Sequence, residues 1–296
     1  MSDSEGRPFD EAFLRRLERL TLRTRRVAGL SGGRPGVLRV PAADFVDHRP
    51  YSPGDDPRHI HWAAVARHDE VFVKVGRAAQ SADVSVMVDV SPSMEVDGAK
   101  GRLAVELAVA LAWIALHAAD RVTVIRFADR VVDTWGPAAG SGRVAGMLAH
   151  LTGSVRAAAG ATTLQATCRQ TARLAPSGGL AIVVSDLWLA DDLDAALALL
   201  PRPRWDVLLL QVMGRRELEP TLKGAVTVRD AESGEELQLL LDDAALHAYR
   251  QALHARLDRL RAVAAGRGAR YALIPADWPL ERAVVPFLQQ RAVLES

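Results

Sequence analysis

The arrangement of apolar and polar positions changes character near Ser81. Beyond it, apolar runs of strand length alternate with stretches of helical length. Val84 to Asp89 reads as a buried strand, Ala99 to Ala118 as a helix apolar nearly all round, and Val122 to Phe127 and Val131 to Trp135 as further strands. A helix from Leu164 to Leu174, a strand from Leu180 to Ser185, a helix from Asp191 to Leu200 and a strand from Asp206 to Met213 follow. Such alternation predicts an α/β fold: a doubly wound, mainly parallel, Rossmann-like sheet with helices on both faces. Residues 225–241 interrupt the rhythm with two strand-like runs joined at Glu232-Ser-Gly234-Glu, an inserted β-hairpin. The helix Asp243 to Ala265, the strand Tyr271 to Pro275 and the helix Leu280 to Ala292 complete the pattern.

Upstream, Phe13, Leu14, Leu17, Leu20 and Val27 recur among arginines at helical spacing, predicting a basic amphipathic helix from Phe9 to Ala28. Gly29-Leu-Ser31-Gly-Gly33 fits the G-x-S-x-G pattern of a hydrolase nucleophile elbow, but an elbow needs a strand before the serine and a helix after it. A helix precedes this stretch and a Gly/Pro-rich loop follows, so it reads as a loop. Strand-like runs at Val37 to Val40 and Glu70 to Val75 flank a turn-rich segment around Pro53-Gly54-Asp55. The expected organisation is residues 1–80 as an N-terminal appendage, helix plus segment, packed on a main domain of residues 81–296.

Composition narrows the function. With 37 basic against 36 acidic residues the formal net charge is +1, too little field to draw the chain to nucleic acid. The single cysteine, Cys168, excludes intramolecular disulfides and multi-thiolate zinc sites. His59 and His61 stand two apart without the cysteines or His/Glu motif of a zinc site. The apolar run Leu103 to Leu116 is interrupted by Glu106 and is shorter than the roughly 20 residues that span a bilayer. The polar start of the chain lacks a secretory h-region, so a cytoplasmic location is expected.

The chemistry-bearing pattern is Asp89-Val-Ser91-Pro-Ser93, at the C-terminal end of the first main-domain strand. Ligand sites of open α/β sheets form at such strand ends, next to the topological switch point. A carboxylate and two hydroxyls from one tight loop are hard oxygen donors, suited to Mg²⁺ or Mn²⁺ rather than Zn²⁺. Thr162, in Gly160-Ala-Thr-Thr-Leu, and Asp186, in Val183-Val-Ser-Asp186, are placed to add further oxygens at the same sheet edge.

These three spaced elements resemble the metal-ion-dependent adhesion site of von Willebrand factor type A domains. The segment Arg49-x-Tyr51-x-Pro-Gly-Asp55-Asp-x-Arg58-x-Ile-x-Trp62, with Ala66-Arg67, is similar to the signature of the bacterial domain of unknown function 58 family. The likeness extends through Ser185-Asp186 and the hairpin to Arg291. His61 stands where the family commonly has Asp or Asn, and Ala161 replaces a frequent Gly, which leaves Thr163 as an alternative to Thr162. The resemblance implies a non-catalytic module that binds Mg²⁺ (or Mn²⁺) through Asp89, Ser91, Ser93, Thr162 and Asp186, with a partner's acidic side chain completing the coordination. It further implies a MoxR-type AAA+ ATPase as the protein partner. No G-x-x-x-x-G-K-[ST] sequence is present, so nucleotide hydrolysis falls to such a partner. Arg49, Tyr51, Asp55, Arg58, Trp62 and Arg67 are expected to fix the appendage or to touch a partner. Two alternatives stand: a Mg²⁺-dependent phosphoryl-transfer enzyme with Asp89 as nucleophile, and a metal-free scaffold.

Overall fold

The computed structural model describes residues 9–23, 45–51, 60, 65, 71–76, 81–96, 98–154, 162–188, 192–231 and 233–295. Asp55, Arg58, Trp62 and Arg67 of the signature segment lie outside the described residues, as do Ser31, the run Val37 to Val40, His59 and His61.

Asp10 opens the first helix, α1 (Glu11–Leu17), by accepting the Phe13 N–H at 2.7 Å. The helix is shorter than its apolar spacing predicts. Its last turn tightens at Leu20, and the next two residues leave as β1 (Thr21–Leu22). Backbone groups at Thr21 and Leu22 are satisfied by the opposite end of the chain, which outweighs continuing the helix. A hairpin of β2 (Phe45–Pro50) and β3 (Phe72–Gly76) comes next, with Arg49 opposite Val73 in the backbone register.

The remaining elements in order are β4 (Asp83–Asp89), α2 (Ala99–His117), β5 (Arg121–Phe127), β6 (Val131–Ala139), α3 (Val144–Thr152), α4 (Gln165–Leu174), β7 (Gly179–Ser185), α5 (Leu193–Leu197) and β8 (Trp205–Met213). Then come the inserted hairpin β9 (Gly224–Arg229) and β10 (Glu236–Leu241), α6 (Asp243–Gly266), β11 (Arg270–Pro275), a π-helical turn at Leu280–Val284, α7 (Val285–Gln290) and β12 (Leu294–Glu295). Sequence periodicity missed α3, whose inward face is only Val144, Met147 and Leu151.

Six strands form one sheet in the order β11-β8-β7-β4-β5-β6, all parallel except β6, which runs antiparallel to β5. Thus the fold is α/β with a central, mostly parallel sheet. Val84, Val86 and Val88 face the layer containing α2, while Met87 faces the layer containing α4 and α5. Burial on both sides explains the unbroken apolar runs of β4, β7 and β8. From β4 the chain winds through α2 to β5 on one side, then returns through α4 to β7 on the other. The order therefore reverses between β4 and β7, and the crevice beyond their carboxyl ends is the switch point.

Compactness divides the chain into residues 1–28 with 81–296, and residues 29–80. Helix α1 belongs to the first unit, where Phe13, Leu14 and Leu17 join the core around α2. The sequence pattern, by contrast, groups that helix with the segment up to residue 80. No described helix is long and apolar enough to cross a membrane.

Candidate functional site

Asp89 closes β4 and Asp186 follows β7, so two adjacent strands deliver one carboxylate each to the switch point. Both side chains are buried. Asp89 Oδ1 accepts the Ser91 N–H at 2.9 Å, and Oδ2 accepts the Ser185 hydroxyl at 2.5 Å. This fixes the carboxylate against the loop that it opens. Pro92 then starts a single helical turn with Ser91 as its N-cap residue, and the loop reversal leaves Ser91 Oγ and Ser93 Oγ 3.0 Å apart.

Asp186 is held differently. Its Oδ1 accepts the Trp188 N–H at 3.1 Å, and Oδ2 accepts from Lys100 Nζ at 3.0 Å. Lys100 sits in the first turn of α2, fully buried, and also donates to Glu217 Oε1 at 2.7 Å. Glu217 Oε2 in turn accepts the Gly214 N–H just beyond β8. Burial by itself would pull the Lys100 amine below its ordinary value; the Asp186 and Glu217 carboxylates outweigh it and hold the amine above that value. For Asp89, burial first and the nearby Asp186 charge second push the carboxyl up to about 6.

The backbone after Asp186 is strained. Leu187, a buried residue with a branched side chain, has φ +57°, a region that such residues seldom occupy. Ser185 Oγ accepts its N–H at 2.9 Å, and Arg256 donates to its carbonyl at 2.7 Å while stacking 4.2 Å over the Trp188 ring. Beneath it, Gln211 donates to the Asp186 carbonyl at 2.8 Å and accepts from the Tyr271 hydroxyl.

Thr162 is buried, and its neighbour Thr163 is tied to the end of β5: Thr163 N–H to Ala128 O at 3.0 Å and its hydroxyl to Asp129 O at 2.9 Å. Phe127, at the end of β5, pairs in register with Asp89, so this anchor lies at the same sheet edge. Tyr51 is exposed, and of Arg49 only its backbone place in β2 is described.

Sequence reasoning passed over Lys100, Glu217, Gln211 and the role of Ser185. Lys100 carried a signal: a lysine in the first turn of a largely apolar helix, in a chain whose other lysines are Lys74 and Lys223. Glu217 and Gln211 gave none, because their partners are remote in sequence.

The profile of the family described as "Protein of unknown function DUF58" matches residues 47–261, most of the chain. The chain belongs to the DUF58 family. This DUF58 chain is 28% identical over 294 residues to the uncharacterized proteins Rv1480 of Mycobacterium tuberculosis (strain ATCC 25618 / H37Rv) and Mb1516 of Mycobacterium bovis, covering 95% of this chain and 89% of each relative. Among solved structures it is similar to a conserved hypothetical protein BatB from Bacteroides thetaiotaomicron, at 17% identity and a TM-score of 0.41 over 72% of this chain and 99% of that one. It is also similar to an aerotolerance-related membrane protein from Bacteroides fragilis NCTC 9343, at 17% identity and a TM-score of 0.43 over 72% and 98% of the two chains.

Proposed function

We propose that this DUF58 protein is a non-catalytic interaction module of the von Willebrand factor A type, binding a divalent cation, Mg²⁺ or Mn²⁺, at the switch point. Asp89, Ser91, Ser93, Thr162 and Asp186 form the oxygen set, and an acidic side chain of a protein partner completes it. The observation that carries the reading is the convergence of Asp89 and the Ser91/Ser93 hydroxyl pair on the crevice that also receives Asp186.

The donor set fits a small hard cation. Ligand oxygens of a six-coordinate ion at about 2.1 Å stand about 3.0 Å apart along an octahedral edge, and the serine hydroxyls have that spacing. The hydrogen-bond partners of Asp89 among the described residues are Ser91 and Ser185, neither of them a cation, and burial with the Asp186 charge disfavours its ionised form; a bound cation would supply the missing charge. Asp186 is already neutralised by Lys100, so it suits an outer, water-mediated place better than direct ligation.

Asp89 is poorly equipped as a phosphoryl-transfer nucleophile, because Ser91 stands where the D-x-D loop of a phosphatase carries its second carboxylate. Recognition rather than turnover is the better use of this geometry. A MoxR-type AAA+ ATPase is the partner class that the family resemblance suggests, and a cytoplasmic adaptor is the corresponding role.

The test is Mn²⁺ titration of the full chain by calorimetry, paired with pull-down of a co-expressed MoxR-type ATPase in Mg²⁺ or in EDTA. Saturable binding that Asp89→Ala abolishes, with ATPase retained only in Mg²⁺, supports the reading. Equal recovery in both lanes removes the metal's role, and Mg²⁺-dependent phosphatase turnover lost in Asp89→Ala would restore the enzyme.

A further inference from the structure

The central sheet ends in β11 at the edge opposite β6. Strand β11 pairs with β8 on one side and with no described strand on the other. Alternate residues of a parallel strand point their N–H and C=O groups away from the neighbour, so this edge presents a row of donors and acceptors.

Two walls flank the row. On one face, Leu260 and Ala264 of α6 belong to the core that Ala269 and Tyr271 pack against. On the other, Val285 and Leu288 of α7 belong to the core that contains Ala272 and Ile274. The space between is a groove of about 460 Å³ lined by Arg261, Ala264, Tyr271, Ala272, Phe287 and Arg291, among others. Alanines at the floor and wall leave room for a polypeptide backbone. Each wall carries an arginine beside an aromatic ring: Arg261 lies 5.9 Å from the Tyr271 ring centre and Arg291 lies 5.1 Å from that of Phe287.

No carboxylate lines the groove among the described residues. Asp258 meets Arg261 at 2.8 Å from one helical turn away, an exposed pair of the kind that contributes little and exchanges readily. A bare edge strand between two arginine-bearing walls matches an extended segment with acidic side chains, by charge as well as by shape.

We infer that the β11 edge is a docking groove for an extended acidic peptide segment, which adds as a seventh strand while Arg261 and Arg291 take its carboxylates. This surface is separate from the oxygen cluster beyond β4 and β7, and stands or falls independently of it.

The test selects short random peptides by phage display on the immobilised full chain, then measures synthetic copies of the recovered sequences by fluorescence anisotropy. The expected outcome is enrichment of Asp and Glu among β-branched residues, and a loss of affinity of about tenfold or more in Arg261→Ala/Arg291→Ala. Both arginines are exposed, so the variant should fold as the wild type does, which circular dichroism checks. N-methylating alternate amides of the peptide should abolish binding, and hydrogen exchange should slow across residues 271–274 when the peptide is bound. Failure to enrich acidic sequences, or affinity indifferent to the arginine pair, overturns the inference. N-methylated peptide binding unchanged would reduce the groove to an anion site. Protection of residues 271–274 by a concentration-dependent dimer would make a second copy the occupant, which also overturns it.

Discussion

Lys100 Nζ stands 3.0 Å from Asp186 Oδ2, linking the first turn of the buried helix α2 to the carboxyl end of β7. Both side chains are 2% exposed or less, and Glu217 accepts a second hydrogen bond from the same amine at 2.7 Å. One cation thus holds together three separate segments around the switch point.

Replacing that cation is therefore expected to be costly. Lys100→Met should lower stability by about 3–5 kcal/mol, because it leaves Asp186 buried without its counter-charge. Urea unfolding followed by circular dichroism measures the loss. The double variant Lys100→Met/Asp186→Asn should recover a large part of it; recovery of none would show that the two side chains do not act as a pair.

The pH response of Asp89 has a definite sign. Its folded value, about 6, lies above the ordinary 3.8, so the folded state binds the proton more tightly than the unfolded chain. Without metal, the penalty for ionised Asp89 is full above pH 6 and fades as pH falls toward 4. Wild type should accordingly gain about 2–3 kcal/mol relative to Asp89→Asn between pH 7 and pH 4, in EDTA. If the metal reading holds, Mn²⁺ affinity should fall about tenfold per pH unit below 6 as protons compete for the carboxylate. Parallel curves for the two proteins across that range would contradict the shift.

Ser185 joins the two halves of the site by donating to Asp89 Oδ2 and accepting the Leu187 N–H. Ser185→Ala should cost about 1–3 kcal/mol, since it leaves a buried carboxylate oxygen and a buried amide short of a partner. It should also raise the pH midpoint of the Asp89 effect, because the lost hydrogen bond favours the ionised form. An unchanged midpoint would mean that the Ser185 hydroxyl does not engage Asp89 in solution.

The N-terminal helix is expected to behave as core. Leu17 is 1% exposed and packs in the layer around α2, so Leu17→Ala should cost about 2–5 kcal/mol. A change below about 0.5 kcal/mol in chemical unfolding would show instead that α1 is loosely attached.

The legible parts of this fold are those where burial on both faces writes a continuous apolar run: β4, β7, β8 and α2 all follow from pattern alone. The Asp89-x-Ser91-x-Ser93 loop was legible too, because its side chains are close in sequence and the strand before it places them. Lys100 and Glu217 were not. They are separated by most of the sheet in sequence, and their meeting depends on β8 crossing to the far side of β7. The end of α1 was equally hidden, since what stops it is pairing of Thr21 with Glu295, a partner at the other end of the chain. Local propensity carries no information about such a partner.

That pairing bears on how the protein is made. The unit containing the sheet begins before residue 29 and resumes at residue 81, so the segment 29–80 leaves the ribosome between its two pieces. Phe13, Leu14 and Leu17 emerge well before the helix that they cover, α2, and the strand that fastens β1 is synthesised later still. Domains that complete themselves from the N-terminus can bury each apolar face as it appears. Here the apolar face of α1 must wait for segments synthesised well after it, and nascent copies on neighbouring ribosomes would expose it to one another throughout that interval.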